Sequence, residues 1–285
     1  MYKPAVTIVA IFLLAVVPAC RQSVAQPFPP ESFRAPQPAE PFQPAKQNSG
    51  KLIHVLVALC DNQFQGIVPV PAKIGNGDDL ANNLYWGAAF GVKTFFKRAT
   101  DWKLISSTQN PTGEILERLT FKHSTKDVFL VADAYRGREI KRAITDFFEF
   151  NAGRGTKTIT VKAATETELH IGGSADLIAY VGHDGLMDFS LNAQPKKADD
   201  RRRDAVMLAC ISKRYFADPL RATGATPLLW TTGLMAPESY VLKAAIDGWL
   251  AGENGEQIKK RAAAAYNQYQ HCGANAALRL FASGW

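Results

Sequence analysis

The sequence predicts an α/β fold: a mostly parallel sheet flanked by helices on both faces. Short, uninterrupted apolar runs recur along the chain, among them Leu52–Leu59 (LIHVLVAL), 126–132 (KDVFLVA), 175–181 and 205–209, and none shows a helical period. Strands buried on both faces of a parallel sheet read this way. Segments with apolar residues at helical spacing alternate with these runs, which is the pattern of strand–helix–strand crossovers. Two of the runs end on residues that can do chemistry, one on Gly182-His183 and the other on Cys210. The ligand crevice of such sheets opens at the strand C-terminal ends.

In chain order, residues 1–19 hold Lys3 and then an apolar run from Ala5 to Val17. The run is short for a bilayer span and reads as the core of a signal peptide. Val17-Pro18-Ala19-Cys20 is similar to a bacterial lipobox, although Pro18 departs from its preferred residue type. Cleavage after Ser23-Val24-Ala25 is the alternative. Export is expected on both readings, and lipidation at Cys20 on the first. A lipid would hold the protein at a membrane without a spanning helix. Residues 20–50 form a tether rich in proline (Pro27, Pro29, Pro30, Pro36, Pro38, Pro41, Pro44), with no core to bury. Residues 51–285 are long enough for one α/β domain.

Leu52–Leu59 is the first expected strand and ends in Cys60-Asp61-Asn62. Asp78 or Asp79 is placed to cap a helix running to about Arg98, with Leu80, Leu84, Ala88 and Val92 at helical spacing. A weak strand is expected at 102–106 and a firm one at 126–132. Residues 137–150 predict a helix with Ile140, Ile144, Phe147 and Phe148 on one face. Alternation over 156–171 predicts a half-exposed hairpin. The His183 and Cys210 strands follow, then a short helix over 213–220, a strand over 227–232, and helices over 239–250 and 256–271. There is no internal repeat, P-loop or GxGxxG. The formal charge of +7 is modest and no basic stripe is interleaved with aromatics, so nucleic-acid binding is not expected. Lys196, Lys197 and Arg201–Arg203 are broken by Asp199, Asp200 and Asp204, as in a solvated loop.

A cysteine and a histidine at two strand ends of one sheet can sit side by side, which suits nucleophilic catalysis. A thiolate attacks a carbonyl, and an imidazole takes and returns the proton. Gly185 permits a sharp turn whose backbone N–H groups are candidates for holding an oxyanion. Alone, Cys210 would be an ordinary core cysteine and His183 a loop histidine; the pairing argues otherwise.

An apolar strand ending in Gly182-His183, followed by an apolar strand ending in Ala209-Cys210, resembles the caspase-like cysteine peptidases: caspases, metacaspases, legumains, gingipains, clostripain and separase. The resemblance implies a caspase-like α/β sheet and a His183–Cys210 dyad. The chain departs from the family in His183-Asp184-Gly185, where histidine is usually followed directly by glycine. Leu208 and Ile211-Ser212 replace the residues that flank the cysteine in caspases, so specificity for aspartate is not implied. By the same resemblance Asp61 lies where a residue lines the substrate pocket, and Thr231 and Thr232 stand at a pocket wall. Asp184 has two readings, orienting the imidazole or capping a turn. Asp133 and Arg136 end a strand, where a structural salt bridge is expected. No close ligand pair suggests a metal, and no cofactor is expected. With Cys20 lipidated and Cys210 a nucleophile, Cys60 and Cys272 remain, and export permits a disulfide between them.

The expectation is an exported, membrane-tethered cysteine endopeptidase acting on a peptide or protein substrate through an acyl-enzyme. The alternative is a catalytically inactive caspase-like lipoprotein that binds a peptide or protein partner. A periplasmic small-ligand binding protein would show two similar lobes, and the sequence has no duplication. Oligomeric state is not legible.

Overall fold

In the computed structural model, which describes residues 47–162 and 165–285, the apolar runs become strands of one sheet. The signal segment, Cys20 and most of the proline tether lie outside the described residues. The strands are β1 (Lys51–Ala58), β2 (Trp102–Gln109), β3 (Ile115–His123), β4 (Val128–Tyr135), β5 (Lys157–Lys162), β6 (Glu166–Ile171), β7 (Leu177–Val181), β8 (Asp204–Leu208), β9 (Thr226–Thr231) and β10 (Phe281–Ala282). The helices are α1 (Val92–Arg98), α2 (Ile140–Asn151), α3 (Ser212–Thr223), α4 (Ser239–Leu250), α5 (Gly255–Gln270) and α6 (Ala274–Leu280).

The sheet has the order β10-β9-β8-β7-β1-β4-β3-β2, with β5 and β6 as a separate antiparallel hairpin. Strands β4, β1, β7, β8 and β9 run parallel; β3 and β10 run against them, and β2 pairs antiparallel with β3 at one edge. The α/β class read from the sequence is therefore the observed one. From β1 the chain passes to the far edge strand β2 and builds inward through β3 to β4, which pairs with β1. It then crosses back to β7 on the other side of β1, so the strand order reverses there and a crevice opens at the C-terminal ends.

Every residue of β4, β7 and β8 is buried, which is why these strands are apolar without alternation. On one face Ile53, Val55, Val57, Val206 and Leu208 pack with Val92 and Phe96 of α1, Val241 and Ile246 of α4, and Ile258 and Ala262 of α5. On the other, Leu52, Leu56, Ile178 and Met207 pack with Ile144 and Phe147 of α2 and with Phe216 and Leu220 of α3.

Three expectations need correction. The helix expected from Asp78 is present only as α1, because side chains before it are spent on turns. Asp79 accepts from the N–H groups of Ala81 (2.8 Å) and Asn82 (3.1 Å), and Asn83 bonds both the N–H (3.1 Å) and the C=O (2.8 Å) of Cys60. Strand β3 was not foreseen, since Glu117 and Arg118 interrupt its apolar pattern. Both are paired inside: Glu117 accepts from Trp86 Nε1 at 2.7 Å and Lys93 Nζ at 2.8 Å. The 196–203 segment is not a freely solvated loop. Arg203 is buried, donating to both oxygens of Asp199 (2.6 and 2.8 Å) and to Gly173 O (2.8 Å), while Arg201 Nη2 reaches Asp176 at 2.6 Å.

The deepest ionic group crosses β1, β3 and β4. Asp133 accepts from Arg118 Nε (2.6 Å) and Nη2 (2.7 Å) and from His54 Nε2 (3.0 Å), while His54 Nδ1 accepts from Gly172 N–H (3.1 Å). Arg136 pairs instead with Asp78. Burial by itself would raise the Asp133 carboxyl, but the bonds from Arg118 and His54 outweigh it and hold the group at about 2. A carboxylate whose folded pKa is depressed contributes fully above the unfolded value near pH 4, and the contribution is lost as pH falls through about 2. Between about pH 5 and pH 2, the protein is expected to lose about 2 kcal/mol more stability than Asp133→Asn. Urea titrations across that range check this, and parallel pH curves for the two proteins would refute it.

Candidate functional site

His183 and Cys210 come together through strand pairing. Val181 of β7 lies opposite Leu208 of β8, and Gly182 N–H donates to Leu208 O at 3.2 Å. The next residues of both chains therefore leave the sheet side by side. A Cβ on Gly182 would stand 3.0 Å from Ala58 O and 3.1 Å from Tyr180 Oη, so the turn takes glycine at this close approach. Tyr180, buried on β7, donates its hydroxyl to His183 O at 2.7 Å and fixes the turn from below.

The imidazole is held by a residue the sequence did not single out. His183 Nε2 lies 2.6 Å from Asp188 Oδ2, and Gly66 N–H donates to the same oxygen at 3.2 Å. A carboxylate partner assigns the proton to Nε2 and leaves Nδ1 as the free nitrogen. Asp184 does not orient the ring. It caps the turn, with Oδ1 accepting from Leu186 N–H at 3.1 Å, and its other oxygen is buried without a hydrogen-bond partner. Burial drives the Asp184 carboxyl up to about 7, with the charge of Asp188 adding to the rise.

Cys210 sits on a strained strand-to-helix turn. Ile211, the next residue, adopts the left-handed conformation at φ 50°, which a β-branched residue occupies only at a cost. Ser212 and Thr231 brace the turn. Ser212 N–H donates to Thr231 Oγ1 (3.1 Å), Ser212 Oγ donates to Met207 O (2.9 Å), and Thr231 Oγ1 donates to Ala209 O. The Cys210 sulfur accepts from Met235 N–H at 3.4 Å and donates to Met235 O at 3.6 Å. Burial raises the thiol pKa, the Met235 amide partly opposes this, and the charge of Asp184 raises it further. Among the described residues no hydrogen bond joins His183 to Cys210.

The remaining expected site residues fall elsewhere. Gly185 N–H is already bonded to His183 O at 3.1 Å, so it is not a free oxyanion donor. The N–H groups of Asp184 and Cys210 donate no hydrogen bond among the described residues. Asp61 is a buried turn carboxylate, accepting from the N–H groups of Gln63 (2.9 Å) and Phe64 (3.2 Å) and packed against Gly77 and Gly137. Thr231 is buried in the brace just described. Thr232 turns to the C-terminal segment, donating to Arg279 O at 2.7 Å. Cys60 and Cys272 are both free thiols. Cys60 is buried at the end of β1 and Cys272 is exposed after α5, which rules out the expected bond in this structure.

Around the crevice three loops expose apolar side chains: Val68 after β1 (87 % exposed), Met187 after β7 (42 %) and Leu234 after β9 (74 %). Tyr85 is buried in the core, bonded to Cys60 and within electrostatic reach of Cys210. A cavity of about 170 Å³ beside α2, lined by His54, Arg118, Asp133, Tyr135 and Phe150, shares no residue with this site. Asp188 had one signal in the sequence, an acid a few residues beyond His183 in a glycine turn. Met235 and Tyr85 had none.

Fold and site thus define an α/β protein that presents a histidine and a cysteine at adjacent C-terminal strand ends. Comparison with protein-family models, curated proteins and solved structures returned no match. If the turn after Cys210 is strained as its backbone indicates, Ile211→Gly is expected to raise stability by about 1 kcal/mol. Urea denaturation decides this; a fall in stability would mean that the Ile211 side chain contributes more by packing than the backbone costs.

Proposed function

We propose that the chain is an exported cysteine-type endopeptidase, lipid-anchored through Cys20, with Cys210 as nucleophile and His183 as its base and acid. The observation that carries this reading is the pair of adjacent strand ends, with Asp188 holding His183 through Nε2 so that Nδ1 is the nitrogen left for chemistry. Cys210 gives its proton to Nδ1 and attacks the scissile carbonyl, and the imidazolium then protonates the leaving amine. Hydrolysis of the acyl-enzyme by water, activated by the same imidazole, frees the carboxylate product. The unspent N–H groups of Asp184 and Cys210 are the donors for the oxyanion, in place of Gly185. Exposed Val68, Met187 and Leu234 offer an apolar rim to an extended peptide. The raised thiol pKa and the bonds to Met235 describe a resting state. Attack requires the sulfur to leave Met235, which peptide binding along that segment would bring about.

One observation favours the second reading, a non-catalytic caspase-like module that binds a peptide or protein: the sulfur is bonded to Met235 and not to His183. Labelling with peptide acyloxymethylketone probes carrying different residues next to the scissile bond separates the two. Covalent labelling of Cys210 that is abolished by His183→Ala supports the peptidase. No labelling of the folded protein by any probe supports the binding module. Asp188→Asn is expected to slow labelling about 10- to 100-fold by loosening the imidazole, as outer-sphere partners commonly do. A rate equal to that of the unmodified protein would remove Asp188 from the mechanism.

A further inference from the structure

Two carboxylates flank His183, and the peptidase reading uses only Asp188. Asp184 has no solvent exposure, yet it is not paired with any cation. Its Oδ1 receives the Leu186 N–H, and its Oδ2 is buried with no hydrogen-bond partner. A buried oxygen in that position is costly as half of a carboxylate and tolerable as a hydroxyl. The proton therefore belongs on Oδ2. Register brings the group to Cys210: Asp184 is three residues beyond Val181, Cys210 is two beyond Leu208, and those two strand ends are paired.

The ionisable groups that act with Asp184 come from three places. Asp188 lies on its own turn, Tyr180 on β7, and Cys210 at the end of β8. His183 precedes it in sequence with its Nε2 committed to Asp188. Helices α2 and α3 also pack on this turn, and no charged group from either is among those acting on Asp184. Only the backbone N–H groups of Leu186 and Met187 oppose the rise, and no cation acts on it.

We propose that Asp184 is a buried carboxylic acid that controls Cys210: with its proton on Oδ2 it leaves the thiol free to ionise, and as a carboxylate it suppresses the thiolate. It is a positioning residue acting through Cys210. Loss of its proton to solvent puts a second negative charge near the sulfur, and a like charge disfavours the thiolate. Burial sets this transition at about 7, within the range of ordinary environments. The thiol is then governed by two opposing ionisations, its own and that of Asp184.

The proposal goes beyond the peptidase reading and is tested without peptide cleavage, so either can fail alone. In the full chain, iodoacetamide alkylation of Cys210 is followed by peptide mass spectrometry from pH 6 to pH 8. A lone thiol below its pKa gains about tenfold in rate per pH unit. The protein is expected to fall about tenfold short of that gain over the interval, with the bend near pH 7. Asp184→Asn keeps the acceptor for Leu186 and cannot ionise. Its rate should equal that of the unmodified protein at pH 6 and exceed it about tenfold at pH 8. A ratio that is the same at both pH values overturns the proposal. If Asp184→Asn does not fold, His183→Ala decides, because it removes the neighbouring imidazole as a source of the bend. A bend that persists there supports Asp184, and an unbroken slope overturns it.

Discussion

Strand β7 is buried on both faces and paired along both edges, with β1 on one side and β8 on the other. Its backbone is fully spent in the ladder, so its five residues have no freedom of register. A shift by one residue would turn Tyr180 from the α2–α3 side to the α1–α4–α5 side. Everything at the crevice follows from that lock. Gly182 leaves the strand against Ala58, Tyr180 reaches up to the His183 carbonyl, and Cys210 emerges beside them from β8. The crossover that carries the chain from β4 past β1 to β7 makes the crevice, because the strand order reverses on either side of β1.

The polar groups of the crevice divide by environment. Asp188 is partly solvated and bonded to the imidazole and to the Gly66 N–H, so its charge is supported on two sides. Asp184, four residues earlier, receives only its own turn and is closed off from water. The strained Ile211 lies at the same place. A backbone cost is maintained there by the Ser212–Thr231 brace, which fixes the sulfur's direction as the chain passes from strand to helix.

A buried ionic cluster is not by itself a functional site, and this molecule shows both kinds. His54, Arg118 and Asp133 are joined in a network in which both imidazole nitrogens and both carboxylate oxygens are bonded. It ties β1, β3 and β4 together beneath the β5–β6 hairpin. Asp184 has an orphaned oxygen and no cation. The first group is fully satisfied, and the second holds a buried oxygen that no hydrogen bond reaches.

The sequence by itself determined the class of fold, the central strands and the two residues at their ends. Burial on both faces writes itself as an unbroken apolar run, and a polar residue that stops such a run is visible without coordinates. Helices α4 and α5 were legible to within a residue for the corresponding reason, a one-sided apolar stripe. Antiparallel β3 was not, because Glu117 and Arg118 find partners only across the fold. The helix expected from Asp78 failed because Asn83 bonds to Cys60, far enough along the chain that no local rule foretells it. Tertiary structure alone decided that Asp188 and not Asp184 holds the imidazole, that Met235 holds the sulfur, that Asp61 and Thr231 serve turns, and that Thr232 bonds the C-terminal segment. Each is a choice among several nearby polar groups, settled by direction and distance, which one dimension does not carry.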